Sequence, residues 1–284
     1  TPKINGFAIS CARWARANSE RYPMRALDIA ATGMSAQQLR VDVIANNLAN
    51  MNTTGYSARR AEFADLHYQQ MVRAGAINAA DGTVVPTGVQ IGLGVRPASV
   101  SVNMAQGALG QSGGVLDLAI EGRGWLEVAL PTGASAYTRD GALQRSADGL
   151  IVTADGFEVG PGITIPDDAR QISINADGEV YAYFADRVEA ELLGQIALVG
   201  FSNDHGLEAM GSNLFLETAA SGAPTQANPG EGGLGTLRQG YLEESSVDAV
   251  REITDLIQAQ RGYELNAKVI TAADQMLGAT TQVR

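Results

Sequence analysis

The sequence predicts an α+β protein of several domains. We expect N- and C-terminal helices that form a coiled coil, and an antiparallel β-rich middle made of a hairpin segment and a β-sandwich or barrel-like domain. Near both ends, apolar residues recur at spacings of three and four, the pattern of a helix that buries one stripe. The middle is instead rich in glycine, Asp-Gly turns and alternating strand patterns. The 284 residues are 45% hydrophobic, enough for one to three domains.

The terminal seams define the predicted helices. The first helix runs from about Met24 to Asn50, and Asn52 and Gly55 supply its C-terminal stop. Its seam consists of Leu27, Ala30, Met34, Gln37, Val41, Ile44 and Leu48. The seam of the last helix consists of Ala249, Ile253, Leu256, Gln260, Tyr263, Ala267, Ile270, Asp274 and Leu277. Because the chain leaves and re-enters the same β region, we expect the two helices to pair in an antiparallel coiled coil.

The last helix has a predicted start signal. Ser245 to Asp248 fits the S-x-x-[DE] capping box, which satisfies two backbone donors at a helix start. Glu243, Glu244 and Asp248 also place negative charge where the helix dipole favours it. We therefore expect the helix to run from this box nearly to Arg284.

Composition divides the chain into four parts. Residues 1–23 have a net positive charge and the single cysteine, Cys11, and do not resemble a secretory signal, so we interpret them as an extension of doubtful origin. The rest is free of cysteine, which excludes disulfides there. The predicted domains are the terminal-helix coiled coil (24–52 plus 245–284), an extended connector and hairpin (53–112) and a β domain (113–240).

Turn signals organise the β domain. Asp-Gly pairs favour type I′ hairpins, whose two central residues both need positive φ. The pairs are Asp140-Gly141, Asp148-Gly149, Asp155-Gly156 and Asp177-Gly178. The runs between turns predict strands at Leu116–Ile120, Gly124–Leu130, Leu150–Thr153, Gln171–Ile174, Val180–Phe184, Gln195–Phe201 and Leu214–Glu217. Short strands at this spacing indicate an antiparallel arrangement.

The connector is less regular. Tyr56–Gln70 is compatible with either a strand or a short helix. Arg73–Gly94 predicts a loop and hairpin, and Val95–Leu109 predicts a strand. Ala219–Gly235, rich in Ser, Gly, Pro and Asn, predicts a loop that leaves the β domain.

Several function classes are disfavoured by composition. A net charge of −11 argues against nucleic-acid binding, which needs a basic surface. The chain has two histidines, His67 and His205, neither with a neighbouring ligand in sequence, so we expect no metal, cofactor or small-molecule substrate. A nucleotide-binding loop is absent from the sequence, and we predict a protein that is not an enzyme.

Three segments carry more specific motifs. The first is Ala45–Asn50 followed by Asn52–Tyr56, and the second is Gln260–Ile270 followed by Asp274–Leu277. The third is Ala136–Gly141, followed by Gly149–Thr153 and Gly156-Phe157. Together they resemble the bacterial flagellar rod and hook family over residues 24–284. Tyr68–Gly88 and the following Gln90–Pro97 resemble the insertion and strand that mark the distal segment of the rod, which places a distal-rod-type insertion at 68–88.

The resemblance implies a function and a location. Such a protein is a subunit that self-assembles into a rigid hollow helical drive shaft, which transmits torque from the motor to the hook. It is located in the flagellar basal body, in the rod that spans the periplasm, and is exported by the flagellar type III apparatus without a cleavable signal peptide. The implied partners are further copies of the chain, proximal rod proteins, the hook protein and the surrounding ring bushing, with no nucleic acid.

The candidate assembly residues combine the seams with the motifs. They are Leu27, Met34, Val41, Ile44, Asn46, Asn47, Leu48, Asn50, Gly55, Ile253, Leu256, Gln260, Arg261, Tyr263, Glu264, Asn266, Ile270, Met276 and Leu277. The asparagines among them are compatible with ordinary polar residues at a helix end. Their position inside an apolar seam favours buried hydrogen bonds that fix the register between helices.

Other interpretations are a hook or proximal rod protein of the same family, and a secreted coiled-coil adhesin with a β head. An enzyme within the β domain is a third. The adhesin would explain the acidity and the lack of cysteine but not the terminal motifs.

Overall fold

The computed structural model describes residues 21–73, 75, 87–185, 187 and 189–282. The predicted extension therefore lies almost wholly outside the described residues, as does most of the second half of the insertion at 68–88. The chain divides into two compact units. One, the helical unit, comprises described residues up to Asn46, then Arg60–Ser101, then those from Val250 onward. The other, the β unit, comprises Asn47–Arg59 and Val102–Ala249.

Two α-helices occupy the ends of the described chain, as predicted. Helix α1 spans Arg21–Ala49 and helix α2 spans Ala249–Gln282. The helix α1 is described from three residues before the predicted start. The helix α2 begins after the predicted capping box, because the hydroxyl of Ser245 accepts a hydrogen bond from the backbone of Val247 at 3.4 Å and closes a turn before the helix. Neither of these described helices is long and apolar enough to cross a membrane.

The connector consists of strands, which resolves the alternative left open for Tyr56–Gln70. Its strands are β1 (Arg59–Asp65), β2 (Tyr68–Val72), β3 (Val89–Gly92) and β4 (Val95–Val102). Strands β2 and β3 form an antiparallel hairpin, and β1 pairs with β4. Burial alternates residue by residue at the start of β1, which is the period of a strand with one covered face.

The remaining strands belong mostly to the β unit. They are β5 (Leu109–Gln111), β6 (Leu118–Glu121), β7 (Trp125–Ala129), β8 (Ser135–Thr138), β9 (Gln144–Arg145), β10 (Ile151–Val152), β11 (Glu158–Val159), β12 (Ala169–Ile174), β13 (Glu179–Phe184), β14 (Glu191–Gln195), β15 (Leu198–Gly200), β16 (Glu208–Gly211), β17 (Leu214–Leu216), β18 (Thr225–Ala227), β19 (Thr236–Gln239) and β20 (Tyr241–Glu243). A short 3-10 helix spans Asp204–Gly206.

Antiparallel pairing organises the β unit, as predicted. The largest sheet has nine strands, with the path β16-β17-β8-β7-β11-β10-β9 and with β15 and β18 branching from β7. A second sheet has the order β12-β13-β14, and the pairs β19-β6 and β20-β5 stand separately. The predicted loop at Ala219–Gly235 contains the short strand β18.

Three of the four Asp-Gly pairs form turns, and these differ from the predicted type I′ geometry; Asp140-Gly141 lies between β8 and β9 and does not form a turn. In the turn at Asp148-Gly149, Gly149 donates to the carbonyl of Ser146 at 3.0 Å and has a φ of +83°. This pattern is a three-residue loop with glycine at a left-handed bulge position, so the aspartate stays right-handed. Equivalent bonds close the loops that begin at Leu130, Thr153 and Asn175. Among described residues other than glycine, only Ser212 and Asn213 have positive φ, and they form the two-residue turn between β16 and β17.

The β unit has a core of its own. One cluster of buried apolar residues is centred on Leu118, Leu126 and Leu198. A second cluster is aromatic: Trp125 packs edge-on against Phe215, with ring centroids 4.9 Å apart, and Tyr137 packs edge-on against Phe201. Burial on this scale stabilises the unit by about 1.5–3 kcal/mol for each large apolar side chain.

Candidate assembly surfaces

The two terminal helices contact each other in antiparallel order. Arg40 of α1 forms an ion pair with Asp255 of α2 at 2.9 Å. Nearer the start of α1, Gln37 lies against Gly262, and Gly33 lies against Asn266. Earlier residues of α1 contact later residues of α2, so the two helices run in opposite directions.

Small residues fill this contact. A Cβ at Gly33 would lie 2.8 Å from the side-chain nitrogen of Asn266, so the backbones approach closely at that point. The buried apolar positions on the described helices are Ala30, Ala36, Ile44, Ala259 and Ala273. Alanines remove little apolar surface from water, so the pair buries much less than a leucine-rich seam would.

The predicted seam of α1 agrees with the structure, and that of α2 is shifted. The seven seam residues of α1 are all buried or half-buried. On α2, Ile253, Gln260, Tyr263 and Asp274 are exposed, and the residues that face α1 are instead Asp255, Ala259, Gly262, Asn266 and Ala273. The heptad pattern misplaced the stripe because α2 has large apolar residues on more than one side. The coiled-coil geometry itself stays a prediction.

The candidate residues fall into three groups by exposure. Buried are Ile44, Asn47 and Gly55. Half-buried are Leu27, Met34, Val41, Leu48, Asn50, Leu256, Asn266, Ile270 and Leu277. Exposed are Asn46, Ile253, Gln260, Arg261, Tyr263, Glu264 and Met276. The structure therefore brings the first two groups into the chain's own packing and leaves the third on its surface.

Asn47 holds the segment that follows α1. It is 1% exposed, and its side chain both donates to the carbonyl and accepts from the amide of Arg59, each at 2.8 Å. Its oxygen also accepts from the Tyr56 hydroxyl. The side chain of Asn50 accepts from Thr53 at 3.2 Å. These bonds are local to residues 47–59, and the register role of Asn47 and Asn50 stays a prediction.

Gly55 sits where only glycine fits. Its φ is +65°, and a Cβ there would lie 2.8 Å from the backbone nitrogen of Asp140. Its amide donates to the carbonyl of Glu243 at 2.8 Å. The neighbouring Thr54 hydroxyl donates to Asp140, and its carbonyl accepts from the side chain of Asn213 at 2.9 Å. The first and third sequence motifs thus meet within the β unit.

A buried ion pair supports this junction. Arg139 donates through Nε to Glu243 at 3.0 Å and through Nη2 to the carbonyl of Gly122, and its guanidinium lies 5.8 Å from the Trp125 ring centre. Glu243 also accepts from the amide of Gly107. Both side chains are less than a tenth exposed. Glu243 is therefore committed to Arg139, not to the helix N-terminus as predicted.

Sequence reasoning missed the role of Arg139 and of Asn213. Arg139 lies in the third quoted motif, but its partner is 104 residues away and no local pattern connects them. For Asn213, the preceding Gly211-Ser212 gave a turn signal that went unused.

The outer surface of the helical unit carries large apolar side chains. On α2 the exposed apolar residues are Val250, Ile253, Ile257, Tyr263, Leu265, Val269 and Met276. In the connector, on strands β2 to β4 and the link between β3 and β4, the exposed apolar residues are Tyr68, Met71, Val89, Leu93 and Val100. A hydrogen bond to Asp65 raises the pKa of the Tyr68 phenol, so the side chain stays neutral at physiological pH.

Both histidines lie at the surface. His67 is exposed, and the Nδ1 of the exposed His205 lies 3.0 Å from the carbonyl oxygen of Val102. Within the described ranges, His, Cys, Asp and Glu side chains do not cluster in groups of three or more that would hold a metal ion.

Three stretches match known protein families. Residues 27–56 match the flagella basal body rod protein family, and 238–283 match the C-terminal family of the flagellar basal body rod FlgEFG proteins. Residues 119–182 match the D1 domain of the flagellar hook protein FlgE/F/G. These matches and the relatives described next confirm the resemblance drawn from the motifs: the chain belongs to the flagellar rod and hook family.

Its relatives narrow the position within that family. Flagellar basal-body rod protein FlgG of Caulobacter vibrioides is 54% identical over 261 residues, which is 92% of this chain and 100% of that protein. FlgG of Agrobacterium fabrum is 50% identical over 89% of this chain and 97% of its own length. FlgG of Bacillus subtilis is 39% identical over 89% of this chain and 97% of its own length. A more distant likeness is to the solved Helicobacter pylori flagellar hook protein FlgE2, at 14% identity over 66% of this chain and 43% of that one, with a TM-score of 0.23.

Proposed function

We propose that this chain is a structural subunit of the flagellar distal rod, and that it self-assembles into a rigid hollow helical shaft that transmits torque from motor to hook. The similarity to relatives named FlgG supports the distal rod over the hook or proximal rod. The observation that carries self-assembly is the distribution of apolar residues on α2. This helix fully buries the small Ala259 and Ala273 and exposes most of its large apolar residues, while Leu256, Ile270 and Leu277 are half-buried.

The energetics of the helix pair favour assembly. Isolated helices are marginal in water, and most helical stability in proteins comes from tertiary packing. An α2 that buries Ala259 and Ala273 but exposes Ile257 and Leu265 gains little from α1 alone. Helices that are apolar on more than one side are typically buried on more than one side. Further copies of the chain provide that cover.

The connector strands, like α2, expose large apolar side chains. A two-stranded hairpin such as β2-β3 is marginally stable by itself. Its exposed Tyr68, Met71 and Val89 are suited to contacts with neighbouring subunits. We infer that these contacts stiffen the shaft.

The partners we propose are further copies of the chain along the shaft, proximal rod proteins and the hook protein at its ends, and the ring bushing around it. The export route we propose is the flagellar type III apparatus. The candidate assembly residues named from the sequence, including the exposed Ile253, Tyr263 and Met276, remain part of this proposal.

We also propose that the chain has a structural role and catalyses no reaction. The exposed His67 and His205 are the obvious general bases, so replacing both with alanine should leave motility and assembly unchanged. A loss of motility in a variant that still folds and assembles would instead favour catalysis in the β unit.

Polymerisation tests the proposal directly. The purified chain should form filaments of fixed diameter, which an adhesin would not do. Deletion of 270–284 should abolish assembly, because it removes the last turns of α2. Deletion of Tyr68–Gly88 should leave filaments that bend more easily, as measured by persistence length in electron micrographs. Filaments that stay equally stiff would contradict the stiffening role.

A further inference from the structure

Two exposed stripes run along the helical unit. The α2 outer stripe consists of Val250, Thr254, Ile257, Arg261, Leu265, Lys268, Ala272 and Met276, which are all exposed and spaced by three or four. The α1 outer stripe consists of Asp28, Ala31, Ser35, Gln38, Asp42, Ala45 and Ala49, exposed with the same spacing. Residues at these spacings share one face of a helix.

The two stripes are complementary in size. The α2 outer stripe presents long apolar side chains, with Leu265 61% exposed and Met276 58% exposed. The α1 outer stripe presents mainly short side chains such as Ala31, Ser35 and Ala45. Large side chains of one helix pack into the grooves between small residues of another, which lets the axes approach closely.

The stripes are also complementary in charge. The ionisable residues of the α2 outer stripe are Arg261 and Lys268, and those of the α1 outer stripe are Asp28 and Asp42. Within the described ranges, none of these four takes part in an ion pair. Packing either stripe against a copy of itself would bring like charges together, whereas packing one on the other brings opposite charges together.

Neither stripe faces the other helix of its own copy. At about 100° per residue, the α1 outer stripe lies about 160° around the helix from Gly33, Gln37 and Arg40, which face α2. The α2 outer stripe lies about 120° from Asp255 and the other residues that face α1. Both stripes are therefore open at the same time. A contact between two different surfaces leaves one of each exposed at the two ends, and it propagates into a filament when the rotation between copies does not close a ring.

We propose that the α2 outer stripe of one copy docks on the α1 outer stripe of the next copy, and that this heterologous contact drives polymerisation. The inference rests on the proposed function, because it takes a second copy of this chain as the occupant. It adds which two surfaces meet and why the contact is directional.

Two blocked variants test the pairing in the full chain. Ile257→Glu with Leu265→Glu blocks the α2 outer stripe, and Ala31→Gln with Ala45→Gln fills the grooves of the α1 outer stripe without adding a charge that would attract the glutamates. Each variant alone should stay at the 29.7 kDa monomer mass, because every contact needs both stripes. Mixed in equal amounts, they should form particles of twice that mass and no filaments, because one intact stripe of each kind remains. Sedimentation velocity measures the mass.

The control keeps the added charge and moves it off the stripe. Thr271→Glu is exposed on α2 but outside the α2 outer stripe, and this variant should form filaments like the unaltered chain. Circular dichroism of each blocked variant checks that its helices and strands are retained. If the variant blocked on α1 dimerises alone, or the mixture stays monomeric while the unaltered chain polymerises, the pairing is overturned and the proposed function stands. If the unaltered chain never polymerises, the proposed function fails with it.

Cross-linking provides a second readout that does not depend on blocking substitutions. In chains with Cys11→Ser, one copy carries Ala45→Cys and a differently tagged copy carries Leu265→Cys. Oxidation should join the two tags in filaments, with at least tenfold more mixed product than same-tag product. Same-tag product in equal or greater yield would overturn the pairing.

Discussion

The β unit and the helical unit bury their apolar residues in different ways. In the β unit, side chains such as Leu118, Leu126 and Leu198 are fully buried within one chain. In the helical unit, alanines and glycines fill the contact between α1 and α2, while Ile257 and Leu265 stay exposed. The β unit thus completes its core alone, whereas we propose that the helical unit completes its core through other copies.

The largest effect on the β unit should come from breaking its buried ion pair. Arg139→Met leaves Glu243 charged and buried without its partner, which should lower the free energy of unfolding by about 3–5 kcal/mol. Chemical denaturation, followed through the unfolding transition of the β unit, measures this loss. The double replacement Arg139→Met with Glu243→Met removes both charges and should recover most of the loss.

The exposed pair Arg187–Glu191 is the matched control. Its side chains are mostly in solvent, so Arg187→Met should cost less than about 1 kcal/mol. A similar cost at both sites would mean that the Arg139–Glu243 pair contributes no more than a surface contact.

Two leucine truncations compare the units directly. Leu126→Ala removes a fully buried side chain and should lower the free energy of unfolding by about 2–5 kcal/mol. Leu265→Ala removes an exposed one and should change the stability of the monomer by less than about 0.5 kcal/mol. In polymerisation assays, Leu265→Ala should raise the critical concentration. If Leu265→Ala destabilised the monomer as much as Leu126→Ala, the contrast between the units would be wrong.

Gly55 tests the junction within the β unit. Gly55→Ala puts a side chain at a φ of +65° and against the backbone of Asp140, and should cost more than the about 1–2 kcal/mol of left-handed strain alone. Gly133→Ala isolates that strain, because Gly133 has a φ of +82° and open space around its Cβ position. Thermal unfolding of both variants checks the difference, and equal losses would remove the steric part of the explanation.

The smallest effect is expected in the helix contact. Gly262→Ala gains up to about 1 kcal/mol of helix propensity but places a Cβ 3.2 Å from the side chain of Gln37. Gly278→Ala gains the same propensity in open space. Helix content followed by circular dichroism should therefore rise more for Gly278→Ala. A larger rise for Gly262→Ala would show that α1 and α2 are not tightly packed at this position.

The sequence identified the classes of element better than their details. Apolar spacing located both helices to within a few residues, and alternation located strands such as β6, β7 and β13 but missed others such as β8, β16 and β19. Three of the four Asp-Gly pairs marked real turns, but the turn type depends on whether the aspartate or only the glycine becomes left-handed. That choice follows from strand twist and register, which a dipeptide does not encode.

The candidate site was less accessible to sequence reasoning. On α2, both Ile253 and Asp255 belong to plausible stripes, and only the position of α1 decides that Asp255 faces inward. Arg139 and Glu243 are 104 residues apart in the sequence, and only the fold brings them into contact. For Asn47 the sequence indicated a buried polar role but not the bonds to Arg59 and Tyr56, because a buried asparagine bonds equally well to a neighbouring segment.

Hydrogen exchange on the monomer and on the filament tests the central claim most directly. In dilute monomer, amides of the β core, such as those of β6 and β7, should be strongly protected, while amides along α2 exchange rapidly. In filaments, α2 should become protected by at least tenfold while the β core changes little. Protection of α2 in the monomer equal to that of the β core would contradict the account, because the helical unit would then be complete without other copies.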